Sequence, residues 1–230
     1  IILDPLKFKL VLKTIGANLK NKNKLIKLES VKSNIDIKTF INKKFSLSEL
    51  DINTRTIEIK NLISFVRSIE DNPQIYILEK LVKKGYLIAD INLKFDQKGN
   101  IKDDFIIKGF VKDGEVKPFK KIDLSKINFI FTIQNNEFEF KDINLSYDNN
   151  DLTFPELNIK KQKNKFIVSG KNNSKNLVLD NKKINQLLNI DFSNLKIKSA
   201  EFDLSNTFSF KINNKYKIND LKINSCLLYT

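Results

Sequence analysis

Through most of the stretch from Gly85 to Tyr147, apolar residues fall at every second position. Leu87, Ala89, Ile91, Leu93 and Phe95 alternate with Ile88, Asp90, Asn92, Lys94 and Asp96, the two-residue period of a strand with one face out of water. Asp96 to Asn100 then supplies Gly99 and side chains able to bond their own backbone, which predicts a hairpin. The alternation resumes at Ile101, Asp103, Phe105, Ile107, Gly109 and Val111. Asp113-Gly114 reads as a second turn, Ile127, Phe129, Phe131 and Ile133 as a third strand, and Asn135-Asn136 as a third turn. Phe138, Phe140, Ile143, Leu145 and Tyr147 make a fourth strand, and the change of parity between Phe140 and Ile143 requires a bulge. The expectation is an antiparallel meander, mainly β, forming a curved, groove-like sheet with one apolar face.

The flanks carry the same signal less regularly. Leu6, Phe8, Leu10 and Leu12 alternate with lysines before Gly16 and an Asn- and Lys-rich run, and Ile35 to Ile59 again favours strands. Between Lys60 and Gly85 the period becomes helical. Leu62, Ile63, Phe65, Val66 and Ile69 form one face, with Asn61 as the expected cap. Asn72-Pro73 then starts a second helix with the face Ile77, Leu78, Leu81 and Val82, closed by Gly85 in a left-handed conformation, with Lys83 and Lys84 in the field of its C-terminus. This pair, at about 61–84, is expected to close one end or side of the sheet. Beyond Tyr147, Leu152 to Ile159 reads as a strand in which Pro155 implies an edge or a bulge. Phe166, Val168 and Gly170 mark another, a short helix is expected near 184–189, and strand patterning continues to the end. No Ser-, Gly- or Pro-rich linker interrupts the chain, so residues 1–230 read as a single β-rich segment.

Composition narrows the function. The net charge is +14, but it comes almost wholly from Lys, with arginine only at Arg55 and Arg67. Together with the abundance of Asn and Ile this is read as compositional bias rather than a nucleic-acid surface. The sequence begins Ile1-Ile2-Leu3, has no Met, and ends where a strand is still running, so it is expected to be a piece of a longer protein. No apolar run reaches the length needed to span a bilayer, and the single cysteine, Cys226, rules out a disulfide framework within the segment.

Candidate chemistry is sparse. Without histidine, neither a serine nor Cys226 has its usual activating base. Asp103 and Asp104 are adjacent on a strand and point to opposite faces, so they cannot share a substrate. Asp148 and Asp151 sit in a DNND turn without the spacing of a calcium loop, and the six glycines form no phosphate-cradling motif. The expectation is therefore no enzyme, no metal and no cofactor. The phenylalanine content is unusual, at 18 Phe against 5 Tyr and no Trp, with many on alternating strand positions. Such a face meets either a second sheet, as in a sandwich, or a ligand that is itself a long apolar surface. The candidate lining is Leu87, Ala89, Ile91, Leu93 and Phe95, with Phe105, Ile107, Val111, Phe129, Phe131 and Ile133 brought alongside by hairpin pairing.

Four stretches resemble a known family: FSLSELDINT at 45–54, IEIKNLI at 57–63, GYLIADINLKFD at 85–96 with Gly99-Asn-Ile, and IKGFVKD at 107–113. The chain resembles the AsmA-like proteins of Gram-negative envelopes, the group of AsmA, TamB and YhdP, best over residues 45–170. The resemblance implies a periplasmic β-groove that carries phospholipid acyl chains between inner and outer membranes in outer-membrane biogenesis. It also implies an inner-membrane anchor outside this segment and docking to other envelope proteins, with no catalytic residues and no nucleic acid. The alternative is a structural or adhesive β-sandwich or solenoid piece of a large surface protein.

Overall fold

The computed structural model describes residues 1–4, 8–70, 72–119, 122–148, 150–180, 199–215 and 217–228. The chain begins with β1 (Ile2–Asp4), β2 (Lys9–Ile15), β3 (Asn18–Asn21) and β4 (Lys24–Asp36), a one-turn helix α1 (Ile37–Ile41), then β5 (Leu47–Thr54) and β6 (Ile57–Glu58). The helical pair follows as α2 (Ile59–Ile69) and α3 (Pro73–Leu81), and next come β7 (Val82–Lys94), β8 (Ile106–Phe119), β9 (Ile122–Gln134) and β10 (Glu137–Tyr147). The described strands end with β11 (Asn150–Gln162), β12 (Lys165–Asp180), β13 (Ser199–Asn213) and β14 (Ile218–Leu228). All belong to one open antiparallel sheet in the order β1-β2-β4-β5-β7-β8-β9-β10-β11-β12-β13-β14, with β3 beside β4 and β6 beside β7. The molecule is mainly β, a long meander forming a curved, groove-like sheet, as the alternation predicts.

The four strands expected between residues 85 and 147 are β7 to β10, each antiparallel to the next. Asn135 and Asn136, with φ of 51° and 63°, make the two-residue hairpin between β9 and β10, the conformation for which asparagine is among the best suited residues after glycine. The bulge required between Phe140 and Ile143 is present: Asp142 has φ 52°, and the β9–β10 register shifts between Lys141 and Asn144. Pro155 likewise sits where the β11–β12 register shifts between Thr153 and Glu156.

Asp113-Gly114 is not a turn. Asp113 takes φ 53° inside a β8 that runs on to Phe119, so the pair makes a bulge, which has the same backbone requirement as a turn. The second strand also starts later than expected, at Ile106. The Asp96 carboxylate accepts from the amides of Lys98 and Asn100 and from the Asn100 side chain, Lys94 pairs with Asp104 at 2.9 Å, and this tight turn leaves only a bridge between Phe95 and Ile101.

The helical pair differs from expectation at its ends. α2 begins at Ile59 after Glu58, and Asn61 lies in its first turn, where its amide donates to Glu58. Asn72 caps α3, accepting from the Ile75 amide at 3.0 Å with Pro73 next to it. α3 ends at Leu81, and Gly85 is not its closing residue. Gly85 lies within β7 at φ 138°, where an added Cβ would stand 2.9 Å from Ile59 Cδ1 and 3.1 Å from Gly114 Cα; glycine is needed there for the close approach of two bulged strands. Lys83 nonetheless serves the helix end, donating to the Lys80 carbonyl at 2.7 Å. The face buried by α2 consists of Leu62, Ile63 and Phe65, with Ile59 at its start, whereas Val66 and Ile69 are exposed, and so are Ile77 and Leu78 of α3. The helix expected near 184–189 lies outside the described residues.

Candidate functional site: the apolar face of the sheet

Because directly paired residues project to the same side, the register can be followed as rows across the sheet. One row reads Val31, Ile52, Ile91, Ile107, Ile133, Phe138, Ile159, Val168 and Phe210, from β4 to β13. A second, two residues along each strand and so on the same face, reads Ala89, Gly109, Phe131, Phe140, Leu157, Gly170, Phe208 and Ile223. Leu87, Val111 and Phe129 form part of a third. At the usual strand spacing the first row is about 38 Å long, and neighbouring rows lie roughly 7 Å apart. The two long rows alone define an apolar strip on the order of 500 Å² of sheet area, in the upper part of the range of the largest apolar patch on a soluble monomer, a size often tied to function.

The reverse side carries a complete polar row, beside which Ile88, Phe110 and Ile130 pair and are exposed. Ser30, Asn53, Asp90, Lys108, Thr132, Glu139, Asn158, Ser169, Ser209 and Lys222 pair in one unbroken row. Asn53 donates to Asp90 at 2.7 Å, and Asn92 donates to both Glu49 and Asp51, at 2.8 and 2.6 Å. The Asn92 hydrogen bond, assisted by Asn34 and by the charges of Lys32 and Lys94, holds the Glu49 carboxyl below its ordinary value of 4.5, although burial works against it. Lysines on this side stand beside carboxylates, as in Lys32 with Asp51 and Lys160 with Glu137.

Eight of the eleven lining residues expected from sequence meet in one cluster: Leu87, Ala89, Ile91, Ile107, Val111, Phe129, Phe131 and Ile133, with Phe140 and Ile59 packed against them. Phe129 sets its ring edge-on to Phe131 and Phe140, with centroids 6.2 and 5.6 Å away. Leu93, Phe95 and Phe105 are not in it. Leu93 pairs with Leu50 one row further on, Phe95 packs its ring against Phe45 at 5.7 Å, and Phe105 precedes β8. The sequence reading missed the continuation of the strip through Phe138, Phe140, Leu157, Ile159, Val168, Phe208 and Phe210. Their alternation was visible, but which of their faces joins the strip depends on the register of each successive pairing.

Two adaptations keep this face continuous. Gly109 and Gly170 stand directly opposite Phe131 and Phe208, and a Cβ on either would come 2.8 Å from the facing ring, so the aromatic rings lie over the glycines. At the bulges, the buried Ile127 and Ile143 are each followed by an asparagine that bonds the displaced backbone. Asn128 donates to the Lys126 carbonyl at 2.7 Å and accepts from the Asp113 amide at 3.0 Å, and Asn144 donates to the Asp142 carbonyl at 3.0 Å.

Helix α2 lies across one end of the apolar face. Phe65 packs with Ile26, Leu28 and Ile57, and Ile59 reaches the central cluster. Elsewhere, among the described residues, the strands make their main contacts with their ladder neighbours, and no second sheet faces the strip. Phe131 is 8% exposed under its flanking aromatics, while Ile91, Ile107, Ile133, Phe138 and Ile159 keep part of their surface accessible. Depressions on the polar face include one of about 590 Å³ bordered by Thr132, Glu139, Asn158 and Lys160. Among the described residues no His, Cys, Asp and Glu group is arranged to hold a metal ion, and no helix is long and apolar enough to cross a membrane.

Fold and site together define a class: an amphipathic β-meander that forms a single layer among the described residues, with one continuous apolar face and a helix across its end. No family model, curated protein or solved structure matches the chain.

Proposed function

We propose that the apolar face is a lipid-binding groove, that phospholipid acyl chains lie along its rows, and that the chain is a non-enzymatic segment of an AsmA-like envelope protein. In that setting it stands in the periplasm, anchored to the inner membrane by a part outside this sequence, and carries phospholipid between inner and outer membranes. The observation that supports this is the pair of apolar rows crossing eight and nine strands with no second sheet over them among the described residues, backed by an unbroken polar row. Hydrocarbon chains match such a strip in length and in lack of hydrogen-bonding demand. The structural or adhesive reading requires a second layer to cover the same face.

The test is lipid extraction and mass spectrometry of the purified protein. Wild-type protein is expected to carry phospholipid. Ile91→Asp and Ile133→Asp place a charge against hydrocarbon and abolish that cargo, whereas Asn158→Asp, on the polar face, leaves it intact. Wild-type protein that takes up no lipid from a host membrane or from vesicles would refute the groove.

A further inference from the structure

The two sides along which the apolar strip ends are charged differently. On the side of the β9–β10, β11–β12 and β13–β14 turns, Lys161, Lys163, Lys215 and Lys217 are all exposed, and among the described residues none of the four forms an ion pair. Both nearby carboxylates are already engaged: Glu137 is bound by Lys160, and Asp220 by Lys211 at 2.5 Å. The Lys211 hydrogen bond, then its charge, with lesser help from Lys165 and Lys222, keep the Asp220 carboxyl below its ordinary range.

The two hairpin tips are neighbours, because Lys165 of β12 pairs with Asn213 of β13. Asn213 fixes the second tip by accepting from the amides of Lys215 and Lys217 at 2.9 and 3.1 Å. Lys161 belongs by register to the apolar side: it pairs with Phe166, which pairs with Ile212 and then Ile218. An ammonium group therefore ends the hydrocarbon strip on this side. At the opposite ends of the strands Glu115, Asp123, Asp148 and Asp151 border a depression of about 480 Å³ with Lys126, a place that disfavours an anion.

We propose that the β11–β12 and β13–β14 hairpin rim, with Lys161, Lys163, Lys215 and Lys217, is the headgroup site of the groove and selects phospholipids of net negative charge. This rests on the groove reading above. Acyl chains on the strip leave the phosphate at an edge, and the lysine rim offers it cations that form no ion pair among the described residues; phosphatidylglycerol presents that anion uncompensated, whereas the quaternary ammonium of phosphatidylcholine is repelled by the same lysines.

The experiment incubates lipid-free protein with vesicles of equimolar phosphatidylglycerol and phosphatidylcholine, repurifies it, and measures both lipids by mass spectrometry. Wild type is expected to carry phosphatidylglycerol enriched about fivefold, the factor given by one charge interaction of ordinary size at the rim, which the choline cation of phosphatidylcholine cancels. Substituting Lys161, Lys163, Lys215 and Lys217 with Glu is expected to abolish the enrichment while total lipid stays the same. If that variant does not give the wild-type circular dichroism spectrum, the corresponding Gln set carries the same expectation. Reversing Lys20, Lys22 and Lys24 on the β3–β4 hairpin changes net charge to a similar degree and is expected to leave the enrichment intact. Bound lipid in the vesicle ratio, or enrichment that survives in the rim variants, overturns the headgroup site but leaves the groove standing. Wild-type protein that takes up neither lipid refutes both. Enrichment removed by inorganic phosphate at fixed ionic strength reassigns the rim to free phosphate and overturns the proposal.

Discussion

Gly109→Ala is the sharpest test of how the apolar face is packed. The substitution carries two opposing effects. Replacing a strand glycine lowers the entropy of the unfolded chain and favours folding by about 0.5–1 kcal/mol. The new methyl group, however, falls well inside contact distance of the Ile88 carbonyl oxygen and 2.8 Å from Phe131 Cζ. The ring can tilt, but the carbonyl belongs to the neighbouring strand and moves only if the ladder moves, so the cost is at the upper end of the roughly 1–3 kcal/mol seen for overpacking. The net expectation is a loss of about 1–2 kcal/mol, or a melting temperature lower by roughly 2–8 °C for a chain of this size. Thermal melts followed by circular dichroism measure it. Adding Phe131→Ala relieves the ring contact but not the carbonyl contact, so the double variant is expected to show favourable coupling that does not cancel the whole penalty. Gly109→Ala protein that melts at or above wild type would refute both the register and the placement of the ring.

Other consequences are simpler to check. Asn128→Ala removes both hydrogen bonds that hold the Asp113 and Lys126 bulges together and is expected to lower stability by about 1–2 kcal/mol in urea titrations, more than Asn144→Ala, for which the structure shows one such bond. Asn72→Ala removes the α3 cap, at a cost of about 1 kcal/mol, and should speed hydrogen exchange of the first-turn amides of α3 before any change in the sheet. Because the folded state lowers the Glu49 pKa, the stability it contributes is present above the unfolded value near 4.5 and is lost as pH falls through the lower, folded value. Glu49→Gln is therefore expected to flatten the acid side of a melting temperature against pH profile, and an unchanged acid limb would contradict that assignment.

The strands were legible because a half-buried sheet requires alternation, and β7 to β10 show it in nearly every residue. The bulges after Phe140 and at Pro155 were legible too, but others were hidden. Asp113-Gly114 satisfies a turn and a bulge equally well, and only the partner strand, with Asn128 bonding the Asp113 amide, decides between them. Gly85 has a similar ambiguity: a helix closure and a bulge both accept glycine, and the contact with Gly114 across the ladder is not visible in one dimension. In α2 the apolar positions outnumber those that can be covered, so periodicity alone could not separate the buried Ile63 and Phe65 from Val66 and Ile69, the latter 66% exposed. The full reach of the apolar face was likewise hidden, because it depends on four successive registers beyond Ile133.

The connectivity of the sheet also bears on how the chain is made. Along the main path every strand pairs with the described strand before it and the one after it, apart from small excursions through β3 and β6. As the polypeptide emerges from a ribosome or a translocation pore, each new strand finds its template already in place and waits for no distant segment. Loop closure is short at most steps, and growth proceeds in one direction from the helix-covered end. The same local wiring makes the architecture modular in length: a pair of strands gained or lost by duplication or deletion lengthens or shortens the sheet by about 10 Å without rethreading the remainder.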